Sequence, residues 1–218
     1  MNILFIPTFF LINSILFDIE YVKAQQTLPT GCLDAFRAAS LSAHNQYRSL
    51  CGVSPLSESS LIDASAQNYS TKMATTNLFQ HSGNSLYGEN LYEQLTSQAL
   101  TVSLCSQIGN QSVASWYSEI ANYNFSNPGF ASNTGHYTQV VWKSSTMLGM
   151  GLGWSIQNGY NYYYVVGQYS PPGNYLGEFG SNVLPPLSTL TTTTTTSSTT
   201  NAPSSPTTIS VRQDFVFV

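Results

Sequence analysis

The 218-residue chain predicts an α+β domain built in layers. Two observations carry that prediction. Apolar residues recur at helical spacing through the first half, and strand-like runs follow in the second. Between two of those runs stands Asn158-Gly159, a strong signal for a two-residue hairpin.

The elements follow in order. A helix is predicted over 34–50, where Leu33, Phe36, Ala39, Leu41, Ala43, Tyr47 and Leu50 form an imperfect apolar stripe. A second is predicted over 58–75, from Leu61, Ile62, Ala64, Ala66, Tyr69 and Met73, with Ser57 or Ser59 as its cap. The Gly-, Ser- and Asn-rich stretch from Asn77 to Asn90 reads as a loop. A third helix is predicted over 110–121, with Val113, Trp116, Tyr117 and Ile120 on one side. Pro128, Gly129 and Gly135 punctuate a loop, and strands are predicted near 136–143, 147–154 and 162–169. In the first of these strands, Tyr137, Gln139 and Val141 would face one way and Thr138, Val140 and Trp142 the other.

The chain's two ends differ from this body. Residues 1–24 read as a signal peptide: Leu4 to Phe17 is nearly all apolar, and Val22-Lys23-Ala24 offers a cleavage site ahead of Gln25. The apolar run is shorter than the roughly 20 residues of a membrane span, so no transmembrane segment is expected after its removal. Residues 25–187 form the expected domain. Residues 188–218 read as a disordered tail, almost all Thr, Ser and Pro to residue 208 and ending in the short apolar run Phe215-Val216-Phe217-Val218. Three sequons, at Asn68, Asn110 and Asn124, fit glycosylation of an exported, extracellular protein. A net charge of −4 with 7% charged residues excludes a basic footprint for nucleic acid.

The three cysteines, Cys32, Cys51 and Cys105, allow one disulfide and leave one thiol over. Three pairings are possible. Cys51–Cys105 is the expected one, because Cys32 lies nearest the start of the mature chain.

Five segments carry a family likeness. They are Ala43-His44-Asn45-Gln46-Tyr47-Arg48, His81-Ser82 with Tyr87-Gly88-Glu89-Asn90-Leu91, Trp116-Tyr117-Ser118-Glu119-Ile120, the stretch Gly135 to Ser145, and Tyr164 to Tyr175. In this order they resemble the motifs of the CAP superfamily (SCP/TAPS), which includes cysteine-rich secretory proteins, antigen 5 and plant pathogenesis-related proteins of group one. The resemblance covers roughly residues 34–180. It implies a three-layer α-β-α sandwich of the CAP/SCP type. It also implies a cleft of two histidines and two acids, carried here by His44, Glu89, Glu119 and His136. One departure stands out: Met150 and Gly167 occupy positions where relatives commonly place two bridged cysteines.

The residue types suit ligand binding. Two neutral imidazoles, His44 and His136, can hold zinc or another divalent cation, with carboxylates to orient them. The same residues could instead lock three elements together by buried hydrogen bonds. His81 lies in a polar loop beside Ser82, which suggests a structural hydrogen bond. The aromatic stretch Tyr123 to Phe130 fits core packing. The family resemblance adds a groove for a sterol or fatty acid, and an extracellular protein receptor is the other partner expected. The leading expectation is a secreted, non-catalytic binding module. The alternative is a metal-assisted peptidase or other hydrolase, for which neither H-E-x-x-H nor a nucleophile elbow is present.

Overall fold

Residues 27–187 and 210–212 are described by the computed structural model. Helix α1 (Cys32–Leu50) leads, followed by the short strand β1 (Ser57–Glu58) and helix α2 (Ser60–Thr76). Strand β2 (Gly88–Thr96) and helix α3 (Val102–Ser118) come next, and α3 passes into a 3-10 turn over Glu119–Asn122. The six-residue helix α4 (Gly135–Val140) precedes the long hairpin of β3 (Met147–Gln157) and β4 (Tyr160–Ser170). A short helix α5 (Phe179–Asn182) and strand β5 (Ser210–Arg212) complete the described elements.

The sheet runs β1-β3-β4-β2-β5, parallel at β1–β3 and antiparallel elsewhere. Strand alternation sorts its side chains onto two faces. Tyr92, Leu148, Met150, Leu152, Tyr163, Val165 and Tyr169 pack with residues of α1, α3 and α4. Leu91, Tyr164 and Val166 pack under α2 with Ala66, Met73 and Ala74. The architecture is therefore α+β, helices on both faces of a mixed sheet, an α-β-α sandwich.

Helix α2 lies directly on β3. A Cβ at Gly149 would strike the backbone of Ile62 and Asp63, one at Gly151 that of Ala66, and one at Gly153 that of Ser70. The spacing makes this possible: four helical residues rise about 6 Å and two strand residues about 6.6 Å, so the elements stay in step. The outward backbone groups of β3 beyond β1 are bonded by side chains. Met150 N donates to Asp63 Oδ1 at 2.7 Å and Leu152 N to Gln67 Oε1 at 3.0 Å. In return, Gln67 Nε2 donates to Leu152 O and Arg37 Nε to Met150 O.

Several expectations hold. Asn158 and Gly159 take φ of 52° and 81°, the left-handed pair that a type I′ hairpin turn requires. Met150 and Gly167 are register partners, and the Met150 sulfur fills the space above the glycine.

Others are corrected. The disulfide joins Cys32 to Cys105, with Cα atoms 5.5 Å apart, so the Cys51–Cys105 pairing is wrong. Cys32 is not on a loose end: it opens α1 and is buried against α3. Cys51 is the free thiol, buried near Tyr117, and burial raises its pKa. The third helix begins at Val102, eight residues earlier than its apolar stripe suggests, with Thr101 Oγ1 capping Leu104 N. The strand expected over 136–143 is helix α4 and a turn. The signal peptide lies outside the described residues, and so does most of the tail. Within the tail, Ser210–Arg212 pairs with Glu93–Leu95 of β2.

Candidate functional site

A cleft of about 320 Å³ opens where the loop before β2, the start of α4 and the segment after β4 meet. His81, Glu89, Phe130, His136, Gln139 and Asn174 are among its lining residues. Gly88 is obligatory there, because a Cβ would overlap the Gln139 side chain that braces the opposite wall. Gln139 Oε1 accepts from Gly173 N at 2.9 Å, and Asn174 Nδ2 donates to Gly135 O, so the segment after β4 is tied to α4.

Two histidine–carboxylate pairs organise the cleft. His81 Nδ1 lies 2.9 Å from Glu89 Oε1, and Ser82 N and Gln168 Nε2 also donate to the Glu89 carboxylate. Burial pushes the Glu89 pKa up, but these donors outweigh it and hold the carboxyl below its ordinary value. His136 Nδ1 lies 2.8 Å from Glu119 Oε1. The other oxygen, Glu119 Oε2, accepts from His136 N and Tyr137 N. Glu119 thus caps the first turn of α4 and clamps its histidine at once. In each ring the carboxylate lies against Nδ1, so Nδ1 is the nitrogen that donates to it.

His44 stands elsewhere. It is fully buried, with Nδ1 2.7 Å from Ser40 O and Nε2 2.8 Å from the Tyr169 hydroxyl. A carbonyl can only accept, so Nδ1 carries the proton and Nε2 accepts from Tyr169. Tyr169 in turn accepts from Asn90 Nδ2, which also donates to His136 O. Burial lowers the His44 pKa to about 4, with the positive charge of Arg48 adding to the effect against the Ser40 hydrogen bond. His44 is therefore a neutral strut behind α4 and does not line the cleft; its expected role as a metal ligand is corrected on that ground. His81, by contrast, lines the cleft and makes the structural hydrogen bond its polar loop suggested, to Glu89. Trp116 fills the space between the two regions, its ring centroid 6.0 Å from that of His44 and 6.5 Å from that of His136.

The helix α4 is held at both ends. Arg48, fully buried, donates from Nη1 to Val140 O and Trp142 O, from Nη2 to Ser145 O and from Nε to Ser54 O. Glu119 holds the first turn and Arg48 the last, which explains why six residues stay helical when an isolated helix of that length would not.

The donor set limits what a metal could find. Among the described residues no group of three or more His, Cys, Asp or Glu side chains is placed to hold an ion. Glu89 and Glu119 spend their oxygens on hydrogen bonds. His81 and His136 are the two imidazoles that line the cleft, and the described residues offer no closed protein cage for a metal. The aromatic stretch divides in two. Tyr123 and Phe125 pack around Tyr137, with centroids 5.5 Å and 6.5 Å away, whereas Phe130 lines the cleft and meets Phe179. The sequon residues Asn68, Asn110 and Asn124 are all exposed. Among the described residues no helix is long and apolar enough to cross a membrane.

The family model described as CAP, cysteine-rich secretory protein family, matches residues 41–169. The human Golgi-associated plant pathogenesis-related protein 1 is 40% identical over 148 residues, which cover 67% of this chain and 90% of that protein. Protein PRY2 of Saccharomyces cerevisiae is 36% identical over 151 residues, 69% of this chain but 41% of the yeast protein. Among solved structures, that of NaASP2 with Zn2+ superposes with a TM-score of 0.53 at 23% identity, covering 69% of this chain and 87% of that one, a likeness of fold. This chain belongs to the CAP family of cysteine-rich secretory proteins.

Proposed function

We propose that the protein is a non-catalytic binding module that works outside the cell and takes its ligand into the cleft of His81, Glu89, Glu119 and His136. The observation that carries this reading is the state of the cleft's polar groups. Both imidazoles are clamped by buried carboxylates, and the rest of the lining is mostly small, amide or apolar, with Phe130 and Pro172 in its wall. A mostly apolar cleft with few fixed polar groups suits a sterol or fatty acid oriented by one polar end. A divalent ion such as zinc would sit between His81 and His136. An extracellular protein receptor is the alternative partner. The family description, the apolar start of the chain and the Cys32–Cys105 bridge support export, since disulfides persist in oxidising compartments. Glycans would then project from Asn68, Asn110 and Asn124.

A native mass spectrum of protein purified without chelator tests this directly, because it reports metal, lipid and glycans together. Phe130→Ser should weaken sterol or fatty-acid binding, and His81→Ala or His136→Ala should abolish zinc binding. A wild-type protein that binds neither class, or variants that bind as the wild type does, would refute the reading.

A hydrolase is the second reading, favoured by one feature: a histidine oriented by a buried carboxylate is also how a general base is built. The adjacent Ser82 does not look poised as a nucleophile, since its hydroxyl accepts from Asn84 N in a local turn. Cleavage of a broad peptide pool that disappears in His136→Ala would favour the enzyme.

A further inference from the structure

An apolar ligand in the cleft must set its polar end against the floor, and the polar groups there determine which kind of end is accepted. Gly88, Asn90, His136 and Gln139 are the buried lining residues. Asn90 is only 1% exposed, and its amide cannot be turned round. Nδ2 donates to His136 O at 3.1 Å, and a carbonyl can only accept. The second Nδ2 hydrogen goes to the Tyr169 hydroxyl at 3.2 Å, whose own proton goes to His44 Nε2. Both donors are thus spent inside the protein. Among the described residues nothing donates to Asn90 Oδ1, and this oxygen is not one of the fully enclosed polar atoms, so it is open to the cleft that Asn90 lines. We propose that Asn90 Oδ1 is the head-group acceptor of the cleft, and that the cleft selects an apolar molecule ending in a hydroxyl over one ending in a carboxylate.

Charge on the surrounding wall points the same way. No Lys or Arg lines the cleft. Each imidazole already has a carboxylate partner, Glu89 for His81 and Glu119 for His136. A protonated ring makes a neutral pair with that partner, and a neutral ring leaves the partner's negative charge in place, so neither supplies net positive charge. Burial pulls the Glu89 pKa upward, but its donors outweigh it, and the carboxyl is ionised at neutral pH. The other lining amides are engaged. Gln139 Oε1 accepts from Gly173 N while Nε2 donates to Ser145 Oγ, and Asn174 Nδ2 donates to Gly135 O. The hydroxyls of Ser85 and Ser132 belong to exposed residues at the rim. A carboxylate carried to the floor would lose its water, meet an acceptor and find no cation. A hydroxyl would instead donate to Asn90 Oδ1, with its stem against Phe130 and Pro172. A fixed acceptor rejects a ligand that lacks the donor, because the acceptor is then left dry and unpaired.

This selectivity rests on the apolar ligand proposed for the cleft, and titration calorimetry of the full chain at pH 7 separates the two. Octanol, octyl methyl ether and octanoate share one apolar stem and differ at the polar end: donor and acceptor, acceptor only, and anion. Octanol should bind about tenfold or more tightly than either of the others. Asn90→Ala should bring octanol down to the affinity of the ether and leave the ether's own affinity unchanged, a loss of selectivity that mere loosening of the wall would not produce. Phe130→Ser should weaken octanol and the ether together, which places them in the cleft. Equal affinity for octanol and the ether, or tighter binding of octanoate, would overturn the hydroxyl preference and leave the apolar-ligand reading standing. Selectivity that persists in Asn90→Ala would remove Asn90 from the role. Binding of none of the three would refute both. The wild-type comparison carries the test by itself should Asn90→Ala fail to fold.

Discussion

Replacing His44 with glutamine should remove a specific stretch of the protein's acid sensitivity. His44 is fully buried, and burial lowers its pKa from 6.5 to about 4. In the unfolded chain the ring takes up a proton near 6.5, and in the folded protein only near 4. Protons between those values bind the unfolded state, so the contribution is complete above pH 6.5 and is lost as pH falls through 4. The size follows from the shift: about 2 kcal/mol gone by pH 5 and about 3 kcal/mol by pH 4. Denaturant unfolding of the wild type and of His44→Gln, each from pH 7 to pH 4, reads it out. Glutamine cannot titrate, so the wild type should lose about 2 kcal/mol more than the variant between pH 7 and pH 5, whatever the variant's stability at neutral pH. Parallel pH profiles for the two proteins would refute the reasoning, since they would mean that His44 accepts its proton in place, with Tyr169 turning to accommodate it.

Three further outcomes are expected. Glu119→Ala should cost about 3–5 kcal/mol, because it leaves buried donors of α4 unmet; Glu119→Gln should keep the fold but move the His136 proton from Nδ1 to Nε2, a change that nitrogen NMR of the ring detects and that should abolish zinc binding. Gly151→Ala should cost about 3 kcal/mol or more in denaturant unfolding, since its Cβ meets the α2 backbone, whereas Gly129→Ala, with open space around it, should stay within about 0.5 kcal/mol of the wild type. Met150→Cys with Gly167→Cys should close a bridge between register partners and raise stability by up to about 2–4 kcal/mol under oxidising conditions, with a reductant-dependent melting temperature as the check and the 3.2 Å approach of Trp116 as the opposing strain.

The parts of the fold legible in the sequence are those with one wet face or with a distinctive turn. Helices α1 and α2 and the β3–β4 hairpin show clear periodicity or turn chemistry, and the structure places them close to where the sequence did. Helix α4 does not, because His136, Tyr137, Thr138, Gln139 and Val140 are all buried, which erases the contrast between periods of two and 3.6. Its β-branched and aromatic residues then mimic a strand, and only Glu119 and Arg48, distant in sequence, impose the helix. Strand β2 hides for the opposite reason: its buried Asn90 and Gln94 look like loop residues until their hydrogen bonds are seen. The site was half legible. Glu119 pairs with His136 and Glu89 with His81, while the motif around His44 marks a buried strut. The polar loop that made His81 look structural is the wall of the cleft, and the signal that could have chosen it was its position eight residues before Glu89 in the same loop.

The polar side chains that α2 and Arg37 lend to the outer rim of β3 also bear on how the protein behaves in company. A bare strand recruits its like, and crowding gives it every chance to do so. Here a neighbouring molecule that tried to extend the sheet at Met150 or Leu152 would first have to displace Asp63, Gln67 and Arg37, residues fixed on helices that sit against the sheet. Growth on that side is therefore coupled to lifting a helix off the core. Resistance to growth on that edge should therefore come from the folded interior and persist at concentrations and salt conditions that defeat surface charge.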